Sequence, residues 1–167
     1  TVEAGLKTRE LASRRQAVAF GCGPGSFTGV RLAAAATQAI AFAAGVGVVP
    51  VISSRALALA AGSKSVAKGT GRIITLIRSR KDLYYLAAYA MRDGIPEVVL
   101  ADRLCERMPI LLEIEKLDDW FVAGSRPDWW PSDAQVDETI NQSADEICTL
   151  ALVSLQTSGA LDAAEAL

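Results

Sequence analysis

In the first third of the chain, the pattern of apolar and polar positions predicts strands that alternate with helices. Short apolar runs bounded by glycine or proline are typical of buried strands, and an Ala-rich stretch that stops at Gly45 is typical of a helix. The predicted elements are a strand at Ala17–Gly21, a helix at Val30–Ala44, a strand at Val46–Ile52 and a short helix from Ser53 or Ser54 to Ala61. This order implies a parallel sheet covered by helices, the arrangement of the α/β class.

The pattern changes after the polar, basic stretch Gly62–Gly71, which we interpret as a linker between a lobe at residues 1–62 and a lobe at residues 63–167. Beyond it the sequence favours hairpins. Strands are predicted at Arg72–Ser79, Leu83–Met91, Glu97–Ala101 and Trp120–Gly124, and helices at Pro109–Leu117 and after the capping box Ser143–Glu146, ended by Gly159. Trp129 and Trp130, in the loop between, are expected to fold back as a small satellite core.

Charge and composition exclude several kinds of chemistry. The 167 residues carry a net charge of −2, but residues 1–92 hold 13 basic and three acidic side chains, whereas residues 93–167 hold four and 16. The chain has no histidine, which excludes a Ser-His-Asp triad, a Cys-His pair and a His-ligated zinc ion within it. Cys22, Cys105 and Cys148 form no C-x-x-C pair and are expected to be buried thiols in a reducing cytosol.

No apolar run reaches the roughly 18 residues that a membrane span needs without an Arg, Gly or Pro. We therefore expect a cytoplasmic protein with no membrane partner.

The glycine-rich loop Gly21–Gly29 is the most unusual stretch of the sequence. It lies between a predicted strand and a predicted helix, where α/β proteins place ligands. Ser26 or Thr28 can cap the helix, and the free N–H groups at its start favour an anion. The loop is not a Walker A motif, because no Lys follows Gly29, and it lacks the third glycine of a dinucleotide fingerprint.

Two interpretations of this loop stay open on chemistry alone: a structural turn that caps a helix, and an anion site. Arg31 bears on the choice, because a cation in the first turn of a helix opposes the helix dipole by roughly 0.3–1 kcal/mol. Its side chain either points into solvent or meets a carboxylate or phosphate.

The nine residues Gly23-Pro-Gly-Ser-Phe-Thr-Gly-Val-Arg31 resemble the signature of the TsaB (YeaZ) family. The resemblance continues through the Ala-rich helix, the strand Val46–Ile52 and Ser53–Ala58, and more weakly into the hairpin Ile74–Tyr89. There are departures: Arg78-Ser79-Arg80 stands where the family has Asp-Ala-Arg, and Ala123-Gly124-Ser125 replaces Gly-Asp-Gly. Segments that family members carry before Thr1 and after Leu167 are also missing, so we expect a truncated or divergent member.

The resemblance implies a two-lobed actin-like, Hsp70-like ATPase (ASKHA) fold with an incomplete N-terminal lobe. It also implies a non-catalytic subunit that binds and activates a TsaD-type catalytic subunit in threonylcarbamoyladenosine modification of tRNA. The subunit then meets a TsaE-type ATPase and the tRNA through the complex, and it can pair with itself when alone. No catalytic or metal-binding residue and no cofactor are expected, apart from weak ATP or ADP binding, and the lack of His speaks against a glycoprotease-like metallopeptidase activity.

The resemblance and the residues together define two candidate sites. The first is a loop that faces an anion or nucleotide, formed by Gly23, Pro24, Gly25, Ser26, Phe27, Thr28, Gly29 and Arg31. The second is a subunit-interface face on the Ala-rich helix, where small side chains allow close approach, with Val30, Ala33, Ala34, Thr37 and Ala41 as its candidate residues.

Two alternatives belong to other functional classes. A nucleotide-binding ATPase-like enzyme of the actin-like superfamily needs acids that hold Mg²⁺ near the loop, and residues 1–92 offer only Glu3, Glu10 and Asp82. Direct tRNA binding would use a set of basic side chains that we interpret as a solvated surface outside the complex: Arg14, Arg15, Lys64, Lys68, Arg72, Arg78, Arg80 and Lys81.

Overall fold

The computed structural model describes residues 17–106, 119–132 and 134–165. Strands and helices alternate up to the second helix, and a run of three antiparallel strands follows it. The elements are β1 (Ala17–Gly21), α1 (Phe27–Ala44), β2 (Gly47–Val51), α2 (Ser53–Ala67), β3 (Arg72–Arg80), β4 (Leu83–Arg92), β5 (Ile95–Cys105), β6 (Phe121–Gly124) and α3 (Ala144–Thr157), with a 3-10 turn at Ala163–Glu165.

The strands form two sheets. β1 and β2 pair in parallel, which confirms the predicted parallel arrangement of the first lobe. The second sheet has the order β5-β4-β3-β6; β3 pairs antiparallel with β4 and parallel with β6. β4 and β5 are antiparallel as well. The carboxyl ends of β1 and β2 therefore lie side by side, and the two loops that follow them are neighbours.

Helix α2 packs between the two sheets. Leu57 and Ala58 belong to a buried cluster with Ile73 and Tyr89 of the second sheet. Ala56, on another side of the same helix, is buried in a cluster with β2 and α3. Because one helix contributes to both cores, it fixes the distance between the two sheets.

Helix α1 covers the opposite side of the β1–β2 pair. Ala34 and Ala41 are buried against Phe20 and Val48. Their small side chains let the helix lie close to the sheet. Gly45 ends the helix in the left-handed conformation, with φ of 65°, which confirms the predicted stop.

Several predictions need correction. The first helix starts at Phe27 rather than Val30, and α2 continues through Gly62 to Ala67. The first half of the predicted linker is therefore wrong; the division into lobes at residues 62 and 63 stays a prediction. Gly62 is suited to this helix because a Cβ there would come within 2.8 Å of Met91 Cε.

Other predictions in the second half hold. The strand predicted at Glu97–Ala101 exists as β5 and is longer. The capping box at the start of α3 is present: the side chains of Ser143 and Glu146 both accept hydrogen bonds from backbone N–H groups of the first turn. Trp130 is buried and Trp129 half-buried, so the pair folds back as expected, but it joins the core on one face of the second sheet, with Ile74 and Leu76, rather than a separate satellite core. Cys148, however, is exposed on α3, so the prediction of three buried thiols is wrong for it. The predicted helix Pro109–Leu117 lies outside the described residues.

Helix α1 is long and apolar enough, by length and composition alone, to cross a membrane, which the sequence criterion applied above did not flag. Ala34, Thr37 and Ala41 on its inner side are nevertheless buried within this chain. If α1 crossed a bilayer, these three side chains would lose their packing within the chain. We therefore treat α1 as a helix of the fold that leaves an apolar side exposed.

Candidate functional site

The loop between β1 and α1 is tied to the loop after β2. Gly23 N–H donates to Ser53 Oγ at 3.2 Å, and Ser53 N–H donates to the Gly23 carbonyl at 2.7 Å. Cys22 N–H donates to the Val51 carbonyl at 2.8 Å. Gly23 has φ of 101°, a conformation that favours glycine. These bonds hold the glycine-rich loop in one place at the carboxyl edge of the first sheet.

The start of α1 combines a capped end with a stacked cation. Ser26 is the N-cap, and its Oγ accepts from Gly29 N–H at 3.4 Å; Thr28 does not play this part. The first turn contains no acidic residue. The guanidinium carbon of Arg31 lies 4.0 Å from the centre of the Phe27 ring, a cation–π contact. Arg31 is thus exposed but held in position by the side chain one turn before it.

A cavity of about 560 Å³, which we call the loop cavity, opens beside this end of α1. One wall is the glycine-rich loop and α1; the other comes from the end of the β3–β4 hairpin and from β5. It is lined by Cys22, Gly23, Pro24, Gly25, Phe27, Val30, Arg31, Ser79, Arg80, Tyr85 and Leu104. The structure thus brings most of the predicted loop site to one cavity, whereas Ser26, Thr28 and Gly29 lie outside its lining.

A bulge in the hairpin shapes the second wall. The β3–β4 register shifts between Arg78 and Arg80, and consecutive residues of a regular strand would face opposite sides of the sheet. Here Ser79 and Arg80 both line the loop cavity. Tyr85 is directly opposite Leu104 across the β4–β5 pair, so these two form an apolar part of the wall.

A larger cavity, of about 760 Å³, lies at the far end of the second sheet and mixes both charges. Asp137 pairs there with Lys64 at 2.9 Å, and Arg126 donates to the Pro131 carbonyl at 2.9 Å. Because these charged groups already have partners in the fold, the smaller loop cavity is the stronger candidate for a ligand.

From Leu32 onward, the outward side of α1, which we call the outer face, carries no charged or polar side chain. It consists of Leu32, Ala35, Ala36, Ala39, Ile40, Phe42 and Ala43, all exposed. Leu32 is 69% and Phe42 84% exposed, values that are unusual for large apolar side chains on a helix.

The predicted interface residues lie elsewhere on the same helix. Ala34, Thr37 and Ala41 are buried against this chain's own sheet, and Val30 and Ala33 are half-buried. Ala34, Thr37 and Ala41 are therefore not exposed to a partner in this structure, whereas an interface role for Val30 and Ala33 stays a prediction. The helix itself stays a prediction as an interface element, now with the outer face as its surface.

A buried polar network joins α2 to the second sheet beside the loop cavity. Ser54 Oγ lies 2.8 Å from the Tyr89 hydroxyl and donates to Asp102 Oδ2 at 2.7 Å. Ser54 and Tyr89 are each 1% exposed. Among the described residues, Asp102 Oδ1 is buried without a hydrogen-bond partner.

Burial dominates the acid–base behaviour of this network. Desolvation raises the pKa of Asp102, and the hydrogen bond from Ser54 offsets only part of that rise. The same cause raises the pKa of Tyr89 to about 12 and raises the pKa of Cys22. Cys22 is therefore a protonated thiol at neutral pH, which does not suit it as a nucleophile.

These shifts predict a pH dependence with a defined sign. The pKa of Asp102 is higher in the folded chain than in the unfolded one. The free energy of unfolding should therefore fall as pH rises from the unfolded-state pKa to the folded-state pKa. In Asp102→Asn this fall should disappear, so that the variant gains stability over the wild type as pH increases. Urea unfolding at a series of pH values from 3 to 8 measures the difference.

Asp137 supplies a control of opposite sign. Hydrogen bonds from Thr139 and Lys64 lower the pKa of Asp137 to about 2. Asp137→Asn should therefore be less stable than the wild type near neutral pH, and the difference should vanish as pH falls from about 4 to about 2. Parallel curves for the wild type and both variants would contradict this account.

Sequence reasoning missed two parts of these sites. It did not predict that Tyr85 and Leu104 line the same cavity as the glycine-rich loop, because these residues are distant from the loop in the sequence. It also missed the outer face, although a signal was present: from Leu32 to Ala44 the sequence contains no charged residue.

Comparison with known proteins places these features in a family context. A family model described as "TsaD: tRNA N6-adenosine threonylcarbamoyltransferase" matches residues 2–113. The tRNA threonylcarbamoyladenosine biosynthesis protein TsaB of Haemophilus influenzae is 53% identical over 45 residues, which are 27% of this chain and 19% of that protein. The match thus spans less than a fifth of that relative.

Solved structures extend the likeness to nearly the whole chain. YeaZ from Pseudomonas aeruginosa is 26% identical with a TM-score of 0.75, covering 93% of this chain and 74% of that one. A second structure from that organism, described as an uncharacterized protein with similarity to peptidase YeaZ, is 27% identical with a TM-score of 0.78, covering 93% and 73%. This likeness confirms the predicted actin-like α/β fold.

Proposed function

Because the chain belongs to the TsaB (YeaZ) branch of the TsaD family, we propose that it is a non-catalytic subunit in tRNA threonylcarbamoyladenosine synthesis. In this role it docks on a TsaD-type catalytic subunit and keeps that subunit in an active arrangement. The chain contacts a TsaE-type ATPase and the tRNA only as part of the assembled complex.

The observation that carries this proposal is the outer face of α1. Large side chains at its edges, Leu32, Ile40 and Phe42, surround a centre of alanines. Small central residues let a second helix approach closely, and the surrounding large ones add apolar area to the contact. An exposed apolar surface of this kind is typical of a protein–protein interface.

The inner side of α1 explains why docking need not disturb the fold. Ala34 and Ala41 already pack on β1 and β2, so the helix is fixed before a partner arrives. A preformed helix loses little conformational freedom on binding, which favours affinity.

The chemistry of the chain supports a subunit that leaves catalysis to its partner. The sequence has no histidine, and among the described residues no three Cys, Asp or Glu side chains come together as a group that could hold a metal ion. Among the residues that the structure describes, none that lines the loop cavity is a carboxylate, and an ATPase of this superfamily would use one to hold Mg²⁺. The alternative of an ATPase-like enzyme is therefore less well supported.

A charge placed on the outer face should abolish docking. We expect Leu32→Glu to weaken binding to the TsaD-type subunit of the same organism by at least about a hundredfold, because a buried unpaired carboxylate opposes association. Co-purification of the two subunits, followed by calorimetry, measures the loss. Leu152→Glu on α3 is the matched control, since Leu152 is 61% exposed and Leu32 is 69% exposed.

Both variants replace exposed side chains, so both should keep the melting temperature of the wild type within a few degrees. Equal binding by the wild type and Leu32→Glu would rule out the outer face as the docking surface. No binding by the wild type would remove the proposal itself.

A further inference from the structure

We propose that Asp102 and the bulge of β5 that carries it form a pH-sensitive switch. When Asp102 is protonated, the bulge lies against Ser54 of α2; when Asp102 is ionised, the bulge moves outward and places the carboxylate in water. The outward position opens one wall of the loop cavity, because Leu104 of that wall lies two residues after Asp102. The inference concerns the isolated chain and does not rest on docking to a catalytic subunit.

Strand β5 is irregular at Asp102. Between two paired positions of the β4–β5 ladder, Ala101 and Asp102 of β5 stand opposite the single residue Ala87 of β4. β5 is also an end strand of its sheet, and among the described residues its other edge pairs with no strand. Ala101 is exposed and Asp102 half-buried. A bulge on an end strand can therefore move outward while the rest of the β4–β5 ladder persists.

The inward position of Asp102 suits the neutral carboxyl better than the carboxylate. Ser54 has one hydroxyl proton, which it donates to Asp102 Oδ2, and the Tyr89 hydroxyl lies on the other side of Ser54 Oγ at 2.8 Å. Asp102 Oδ1 is buried and, among the described residues, has no donor. An ionised carboxyl in this position therefore lacks a donor for one of its two oxygens, and burial of such a charge is unfavourable.

No cation in the described part of the chain forms an ion pair with Asp102. On the same strand, the neighbouring Arg103 is exposed. On α2, Arg55 donates to the Pro96 carbonyl at 2.9 Å, and its charge acts on Tyr89. An ionised Asp102 therefore gains little from neighbouring charges while it is buried, whereas in the outward position water solvates it.

Two further titratable groups lie beside Asp102: Cys22 of the glycine-rich loop and Tyr89 of β4. Burial raises the pKa of both, to about 12 for Tyr89, so both are neutral at neutral pH. Burial also raises the pKa of Asp102, and the hydrogen bond from Ser54 and a backbone hydrogen bond offset part of that rise. Asp102 is thus the group of this cluster that changes charge first as pH rises, and its ionisation favours the outward position.

Hydrogen–deuterium exchange followed by mass spectrometry measures this movement. The full chain is labelled at pH 4 and at pH 8, and the rates are corrected for the intrinsic pH dependence of amide exchange. Each pH unit between the pKa values of Asp102 in the two positions changes their ratio about tenfold. We therefore expect the protection of β5 around Asp102 to fall about tenfold or more from pH 4 to pH 8.

Matched variants assign the fall to one carboxyl. Asp102→Asn keeps the shape of the side chain without its titration and should show no fall. Asp102→Ala lacks the carboxyl and should show none either, so the result does not depend on a single variant. Asp137→Asn is the control and should keep the fall of the wild type, because the pKa of Asp137 is about 2 and lies below the range of the experiment.

The dependence on urea separates movement of the bulge from global unfolding. At pH 8, exchange around Asp102 should be nearly independent of urea up to about 1 M, because movement of the bulge exposes little surface. A urea dependence as steep as that of β1 would assign the exchange to global unfolding and overturn the inference. Equal corrected protection of β5 at pH 4 and pH 8 would overturn it as well, as would the same fall in Asp102→Asn and Asp102→Ala.

Discussion

Gly124→Ala is expected to destabilise the fold by about 4 kcal/mol or more, enough to leave much of the chain unfolded at 37 °C. Gly124 ends β6 with φ of 114°, a conformation that side chains rarely adopt. A Cβ there would overlap the Leu76 carbonyl oxygen and lie 3.2 Å from Leu57 Cδ2. The neighbouring Ser125 N–H donates to that same carbonyl at 2.8 Å, so the strand cannot move away without losing this bond.

Gly69→Ala is the control that tests the effect of the backbone conformation without a steric overlap. Gly69 has φ of 77°, and no atom lies within 4 Å of a Cβ built on it. This control should cost about 1 kcal/mol, the usual penalty for a left-handed residue with a side chain. Urea unfolding measures both values, and equal losses for the two variants would show that the contact with Leu76 does not constrain β6.

Ser54→Ala is expected to cost about 3 kcal/mol, although it removes a single oxygen atom. The loss leaves two groups without partners, the Tyr89 hydroxyl and Asp102 Oδ2, and each unsatisfied buried group costs about 1–3 kcal/mol. Because Ser54 lies in the first turn of α2 and its two partners lie on β4 and β5, the damage weakens the contact between that helix and the second sheet.

Tyr89→Phe provides the comparison for Ser54→Ala. It removes the hydroxyl but leaves the bond from Ser54 to Asp102, so we expect a loss of only about 1 kcal/mol. The double variant Ser54→Ala/Tyr89→Phe should be no less stable than Ser54→Ala, since the orphaned hydroxyl is then gone. Additive losses from the two single changes would contradict a shared network.

The sequence was sufficient for the elements whose signals are local. The capping box Ser143–Glu146, the stop at Gly45 and the apolar runs of β1 and β2 each depend on neighbours within a few residues. The predicted linker at Gly62 was wrong because tertiary packing outweighs the local signal: Met91 Cε packs where a Cβ at Gly62 would lie, inside the helix. Composition alone does not distinguish a glycine that breaks a helix from one that admits a neighbour.

The candidate sites could be predicted in part for the same reason. The glycine-rich loop and Arg31 are contiguous, so a motif could identify them. Tyr85 and Arg80 meet that loop only through a bulged hairpin and the packing of two sheets. On α1, the alanine count indicated a helix that allows close approach, but identifying its exposed face needed the position of the sheet beneath it.

The central claim, that this chain acts through docking of α1, is tested most directly by reconstituted synthesis of threonylcarbamoyladenosine on tRNA. The assay combines tRNA, an activated threonylcarbamoyl donor and the TsaD-type and TsaE-type proteins of the same organism with the wild-type chain, Leu32→Glu or Leu152→Glu, and measures the modified nucleoside in the tRNA. We predict that the wild type and Leu152→Glu support synthesis and that Leu32→Glu does not. Synthesis that is the same without the chain, or with Leu32→Glu in place of the wild type, would contradict the claim.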